Sequence, residues 1–298
     1  MKKEKIAIEL GVFKDYSLED SLRYVKEEGY TNVELASRRI YSHFEVDRAD
    51  EKEVLRVKDL LEKFNLKSCA VFTYGNHLLA SPEERTRKTA VEEMRRVIYN
   101  ARLLDCDLVA SEMKPGRLQM ALSEQEEIEQ CKTAWKKSMR ELISDLDSTN
   151  IRLAFEPHPG DFVEDSNSAV DLINEIDCGR IGYLFCFPHT FNFSGELTDM
   201  IRYAGERLFH VHIGDSNKVD RIVPPYVVKS SPELSLRFKR EVHEHLIPGR
   251  GDVDFQKGLR ALDDINYNGF ISVQPFSHSD NPKEAARSSL EYLLKFVN

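Results

Sequence analysis

Two periodicities alternate along this chain from end to end, and that alternation restricts its fold more than any single residue does. Short runs rich in apolar and β-branched side chains occur at 5–13, 32–37, 67–74, 107–113, 151–156, 181–187, 209–213 and 269–275. Between them lie stretches with apolar residues at helical spacing, such as Val54, Leu55, Val57, Leu60, Leu61 and Phe64. That is the stripe a helix packs against a core. Eight strands each followed by a helix specify an α/β protein with a parallel sheet, either wound on both faces or closed on itself. No G-x-G-x-x-G follows the first run, where a dinucleotide-binding sheet carries its phosphate loop, and the count of eight matches a closed barrel. The expectation is a (β/α)8 TIM barrel forming one domain over residues 1–298, a usual length for that fold.

Helix starts carry their own signals. Ser17-Leu-Glu-Asp and Ser123-Glu-Gln-Glu resemble capping boxes, and Ser81-Pro-Glu-Glu reads as a Ser N-cap with Pro in the first turn. One segment exceeds the repeat. Residues 216–252, between the seventh strand and its helix, are far longer than a usual strand–helix loop. An insertion at the barrel mouth is expected there, containing Pro224-Pro225-Tyr226 and a short helix over 231–246, and serving as a lid or a subunit contact.

The net charge of −9, with Lys and Arg spread along amphipathic segments, argues against a nucleic-acid partner, which requires a concentrated basic surface. The cysteines Cys69, Cys106, Cys131, Cys178 and Cys186 are odd in number and lack C-x-x-C spacing. They make neither a disulfide framework nor a zinc ribbon. The apolar stretch in MKKEKIAIEL is too short for a signal peptide, and no later run approaches a membrane span. A cytoplasmic protein is expected.

Chemistry gathers beyond the carboxyl ends of strands in parallel α/β folds. The stretch IRLAFEPHPGD (151–161) runs a buried strand into Glu156 and then breaks at His158 and two prolines. The sixth strand carries Cys186 and ends near His189, the seventh sets His210 and His212 on one face before Asp215, and the eighth ends at Gln274. Earlier strands offer Glu9, Glu34, Tyr74 with His77, and Glu112 with Lys114. Each residue alone has an ordinary structural reading. Convergence at neighbouring strand ends does not, because a packed core selects ionisable groups only when they face something charged. A divalent metal is the simplest such partner.

These residues resemble the xylose-isomerase-like barrel family of sugar-phosphate isomerases and epimerases. The similarity runs through NVEL (32–35), LAFEPHPG (153–160), C-F-P-H (186–189), HVHIGDSN (210–217), PGRGDVDF (248–255) and GFISVQPF (269–276). The resemblance implies a divalent metal at the barrel mouth, held by Glu156, Cys186, His212 and Gln274. Cys186 stands where the family has Asp in D-x-x-H, Gln274 where it has its last Glu, and Gly214 where the H-x-K-D motif has Lys. A Cys/His/Glu set is softer than the family's and favours Zn over Mn, Co or Mg, or leaves the site without metal. The resemblance further implies catalysis by Glu156 and His189, with His158, Glu112, Lys114, Tyr74 and Arg250 lining a carbohydrate site, in a homo-oligomer (dimer or tetramer) without nucleic-acid or membrane partners.

Family isomerases pass a proton between two glutamates through a metal-stabilised enediolate. Gln274 cannot take a proton. Three readings therefore stand: an isomerase or epimerase, a one-base lyase or dehydratase on a polyol, and a metal-depleted barrel that only binds a sugar.

Overall fold

Eight parallel strands close on themselves in chain order, β1 pairing with β8. They are β1 (Ile6–Glu9), β2 (Asn32–Ala36), β3 (Lys67–Phe72), β4 (Leu108–Glu112), β5 (Arg152–Glu156), β6 (Ile181–Cys186), β7 (Leu208–Ile213) and β8 (Phe270–Val273). This computed structural model describes residues 2–37, 42–114, 124–192, 195–219 and 244–297. The helices among them are α1 (Leu18–Glu27), α2 (Glu51–Lys63), α3 (Glu84–Leu103), α4 (Glu124–Thr149), α5 (Ser166–Asn174), α6 (Phe187–Phe191), α7 (Leu197–Ala204), α8 (Phe255–Asp264) and α9 (Pro282–Leu293). The expected TIM barrel is the observed fold.

Strand alternation divides two cores. Ile8, Val33, Val71, Val109, Phe155 and Val211 belong to the layer between sheet and helices. Ala7, Ala70, Ala110, Ala154 and Leu184 form a separate cluster inside the barrel. Small residues there leave room above them, and the next inward positions toward the carboxyl ends are Glu9, Glu112, Glu156 and Cys186. Those four side chains are almost fully buried.

Helix starts follow side-chain capping chemistry. Ser17 caps α1 as expected, its hydroxyl accepting from Asp20 N at 3.1 Å. Ser81 does not cap α3. Glu83 does, accepting from Arg85 N at 3.2 Å and Thr86 N at 3.0 Å, while Ser81 Oγ accepts from Glu83 N at 3.3 Å. A carboxylate competes well for these donors and lies nearer the positive helix end. The short α6 directly after β6, with Pro188 in its first turn, was not anticipated either.

The ends of the long excursion after β7 are pinned by one buried side chain. Asp215 Oδ1 accepts from the backbone N–H groups of Ser216 (2.9 Å) and Val253 (3.1 Å), and Oδ2 accepts from Gly249 N (2.8 Å). Its backbone exchanges two hydrogen bonds with Leu246, both 2.8 Å. A Cβ on Gly251 would fall 2.5 Å from Asp215 Oδ1, so this junction admits only glycine. Leu246 consequently pairs with Asp215 in an isolated antiparallel bridge, and residues 244–246 are not helical. The rest of the expected 231–246 helix and Pro224-Pro225-Tyr226 lie outside the described residues. Asp215→Asn turns an amide N–H toward a backbone N–H. It is expected to lower stability by about 1–3 kcal/mol, measured as a shift in the denaturant midpoint.

Candidate active site

At the mouth, His212 stands between two buried carboxylates. Its Nε2 lies 3.1 Å from Glu34 Oε1, and its Nδ1 faces Glu156 Oε2 at 3.7 Å. His210, two residues earlier on the same strand face, approaches Glu34 at 3.4 Å. All four groups are at most 1% exposed. Burial alone would lower the His212 imidazole, but Glu34 and then Glu156 push it up to about 10. Burial likewise opposes ionisation of Glu156, yet His189 and then His212 hold it well below the usual carboxylate range. Glu34 is held low in the same way, against burial, by His212 and His210.

Hydrogen bonding fixes roles in this group. An ionised carboxylate only accepts, so His212 Nε2–H donates to Glu34 and Nδ1 is the nitrogen turned toward Glu156. That nitrogen makes no hydrogen bond. A ligating histidine is usually oriented by a carboxylate on its other nitrogen, and Glu34 does this here. Glu156, Cys186 and His212 each offer a ligand atom within 4.8 Å of the others. The donor set therefore fits a divalent cation. Gln274 is buried, and its Nε2 makes no hydrogen bond. It adds at most a neutral donor.

A second chain of contacts leads away from Glu156. Glu156 Oε1 is 2.8 Å from His189 Nδ1, His189 Nε2 is 2.9 Å from His245 Nε2, and His245 Nδ1 is 3.1 Å from the Gln274 carbonyl oxygen. His189 comes from α6, directly after the strand that carries Cys186. His245 is delivered by the extended segment that Asp215 anchors. A Cβ at position 214 would meet His245 Nδ1 at 3.2 Å and the Gln274 carbonyl at 3.3 Å. Gly214, where the resembling motif has Lys, thus gives His245 its place.

The third group is cationic at its centre. Lys114 Nζ lies 2.6 Å from Glu112, 3.0 Å from Asp161 and 3.3 Å from His158 Nδ1. Burial works against the Lys114 charge, but Glu112 and Asp161 raise its pKa overall. Burial pushes the Asp161 carboxyl up. The His158 ring packs edge-on against His189, centroids 4.5 Å apart, so this group adjoins the first two.

The structure thus brings together Glu156, Cys186, His212, His189, His158, Glu112 and Lys114. Tyr74 points to another partner, donating to Glu9 Oε1 at 2.7 Å. Arg250 does not join them: its side chain is 47% exposed and stands 3.9 Å from Glu284 of α9. Sequence reasoning gave no role to His245, Asp161, Glu34 or His210. Glu34 and His210 were visible as inward strand residues. His245 lay in a helical pattern that the Asp215 bridge overrides, and no local signal marked it.

A family profile described as xylose isomerase-like TIM barrel matches residues 22–296. The chain belongs to that family. It is 23% identical over 270 residues to an inosose dehydratase of Clostridium perfringens, covering 85% of each chain. Its fold matches that of a D-psicose 3-epimerase solved in the presence of D-fructose, with a TM-score of 0.76, 15% identity and coverage of 98% and 99%. It also matches an IolI protein solved with a bound zinc atom, with a TM-score of 0.76, 16% identity and 98% of each chain covered. Among the described residues no helix is long and apolar enough to cross a membrane.

Glu9, beside Glu34 at the end of β1, gives a test of the site's electrostatics. Burial, reinforced by the Glu34 charge, pushes Glu9 up to about 8. The folded protein then holds a proton that the unfolded chain releases near 4.5. This contribution to stability is complete below about 4.5 and is lost as pH rises through about 8. Glu9→Gln keeps the acceptor for Tyr74 and removes the charge. The variant is expected to gain melting temperature relative to the parent progressively across that window, as thermal unfolding at several pH values would measure.

Proposed function

We propose that this protein is a metal-dependent enzyme acting on a small polyhydroxylated carbonyl compound, an isomerase or epimerase that moves the proton on the carbon next to the carbonyl. The observation that carries this reading is the convergence of Glu156 Oε2, the Cys186 thiol and the non-hydrogen-bonded His212 Nδ1 at the mouth of the barrel. A divalent cation held there by Glu156, Cys186 and His212, zinc by the softness of the set, would supply the Lewis acidity that makes such a proton removable. Gln274 completes the set with its amide.

The chain's own residues supply the rest. Glu156 is ionised and is the proton acceptor. His189, whose Nδ1–H donates to Glu156 Oε1, holds that carboxylate in place and contacts substrate hydroxyls. Lys114, held by Glu112 and Asp161, presents a fixed positive charge toward an oxygen of the substrate, with His158 beside it. Tyr74 acts through Glu9, to which it donates.

A second reading, elimination of water by a single base, is favoured by one observation. Gln274 occupies the position of the second base and cannot take a proton. The similarity to an inosose dehydratase supports the same possibility.

Reaction of candidate ketoses and inososes in deuterium oxide distinguishes the two. Isomerisation conserves the carbon skeleton and incorporates solvent deuterium; dehydration yields a product lacking one water. Under either reading Glu156→Gln is expected to lower kcat by about 10²–10⁴-fold while substrate still binds by calorimetry. Removal of divalent metal with a chelator is expected to abolish turnover, and added zinc to restore it. Full turnover in the chelated protein would refute the metal-dependent reading.

A further inference from the structure

His77 is a buried ionisable group that the mouth of the barrel does not use. It lies in the segment 73–83 between β3 and α3 and is 1% exposed. Neither of its ring nitrogens makes a hydrogen bond among the described residues. Whichever nitrogen carries hydrogen, an imidazole so placed leaves at least one donor unsatisfied, at a cost of about 1–3 kcal/mol. Its ion-pair partner is Asp47, whose Oδ2 lies 3.5 Å from His77 Nε2, with both side chains at most 1% exposed. That separation is longer than an N–H···O bond of about 2.7–3.2 Å. Glu93 of α3 completes the group, the ligand atoms of Asp47, His77 and Glu93 all lying within 4.8 Å of one another.

We propose that Asp47, His77 and Glu93 form a divalent-metal site of the zinc class, separate from the barrel mouth, in which the ion clasps the segments after β2 and β3 to α3. None of the three lies on a strand, and none belongs to the groups around Glu156, His212 or Lys114. One imidazole nitrogen and two carboxylate oxygens suit zinc or manganese better than calcium, whose cages are all oxygen. Two atoms bound to one four-coordinate zinc at about 2.0–2.2 Å stand roughly 3.3 Å apart. His77 Nε2 and Asp47 Oδ2 are already close to that separation.

The two carboxylates balance the charge of a divalent ion. Both have other partners as well, as ligating carboxylates commonly do. An ion on Nε2 fixes the ring hydrogen on Nδ1 and leaves one unmet ring nitrogen where there were two. Glu93 is only partly buried, so solvent reaches the site from its side and supplies the fourth ligand.

The donors are held in place by the chain itself. Ser37, the residue after β2, accepts from Val46 N at 2.9 Å with its hydroxyl and from Asn76 Nδ2 at 2.6 Å with its carbonyl. One residue thus ties the neighbour of Asp47 to the neighbour of His77. Helix α3 grips the same turn: Arg96 Nε donates to the Asp47 carbonyl at 3.0 Å and Asn100 Nδ2 to the Val46 carbonyl at 2.7 Å. Glu93 precedes Arg96 by three residues, which sets both on one face of the helix. His77 lies three residues beyond Tyr74, so the ion braces the segment that carries the Tyr74–Glu9 contact. Its role is structural, and it does not depend on the reaction proposed above.

The test removes the mouth site first. The full chain carrying Cys186→Ser and His212→Gln is stripped of metal, titrated with Zn2+ by calorimetry, and melted with and without the ion. The expected result is a zinc position that remains, and a melting temperature that rises with Zn2+ but not with Mg2+ or Ca2+. Adding His77→Gln or Glu93→Gln should weaken zinc binding by more than about tenfold, since even outer partners of metal ligands command that much, and should remove the rise. Crystals of the parent chain grown with Zn2+ give a measurement that the folding of a variant cannot obscure. Anomalous scattering at the zinc edge is expected beside His77 Nε2, whatever the mouth holds.

A folded double variant that binds no zinc, zinc affinity unchanged by His77→Gln, or parent crystals without an anomalous peak beside His77 would each overturn the assignment. Ordinary density there without anomalous signal would identify the occupant as water and overturn it as well.

Discussion

Charge balance inside a closed barrel governs everything at the mouth of this protein. Glu9, Glu34 and Glu156 are buried within one sheet, and isolated carboxylates in such surroundings cost several kcal/mol each. The molecule meets that demand in three different ways. Glu9 keeps its proton, Glu34 is held ionised by His212 and His210, and Glu156 shares His212 and His189. His212 is the hinge of this arrangement, because it serves Glu34 with one nitrogen and faces Glu156 with the other. A cation at Glu156 fits this balance instead of disturbing it.

The barrel was legible in the sequence because its cause is periodic. A parallel strand covered on both faces must be apolar nearly throughout, a helix packed on one side must be apolar every three or four residues, and eight repeats of that alternation without a glycine-rich phosphate loop after the first match a closed barrel. What stayed hidden was decided by single contacts. Glu83 displaced Ser81 as the cap of α3 because a carboxylate satisfies two backbone donors at once. Residues 244–246 left a helical pattern because pairing with Asp215 gives their backbone better partners.

The same division runs through the site. Glu156, Cys186 and His212 could be found because strands project alternate side chains into a barrel, so position along the strand reports direction. His245 and Asp161 could not, because they arrive on loops whose course depends on hydrogen bonds remote in sequence. Arg250 shows the opposite failure. It lies in a motif-like stretch whose conformation serves Asp215, and its side chain faces Glu284 instead of the mouth. The glycines of that stretch, not its arginine, carry the structural meaning.

The carboxylate of Asp215 gathers the two ends of a long excursion at one point on the rim. A loop tied off at its base behaves as a module. Lengthening or rewriting the interior adds only slowly to the entropy of closure, and none of that cost is transmitted to His245 or to the strand ends beneath it. In this chain the knot is written as Gly214-Asp215 at one end and Gly249-Arg250-Gly251-Asp252 at the other.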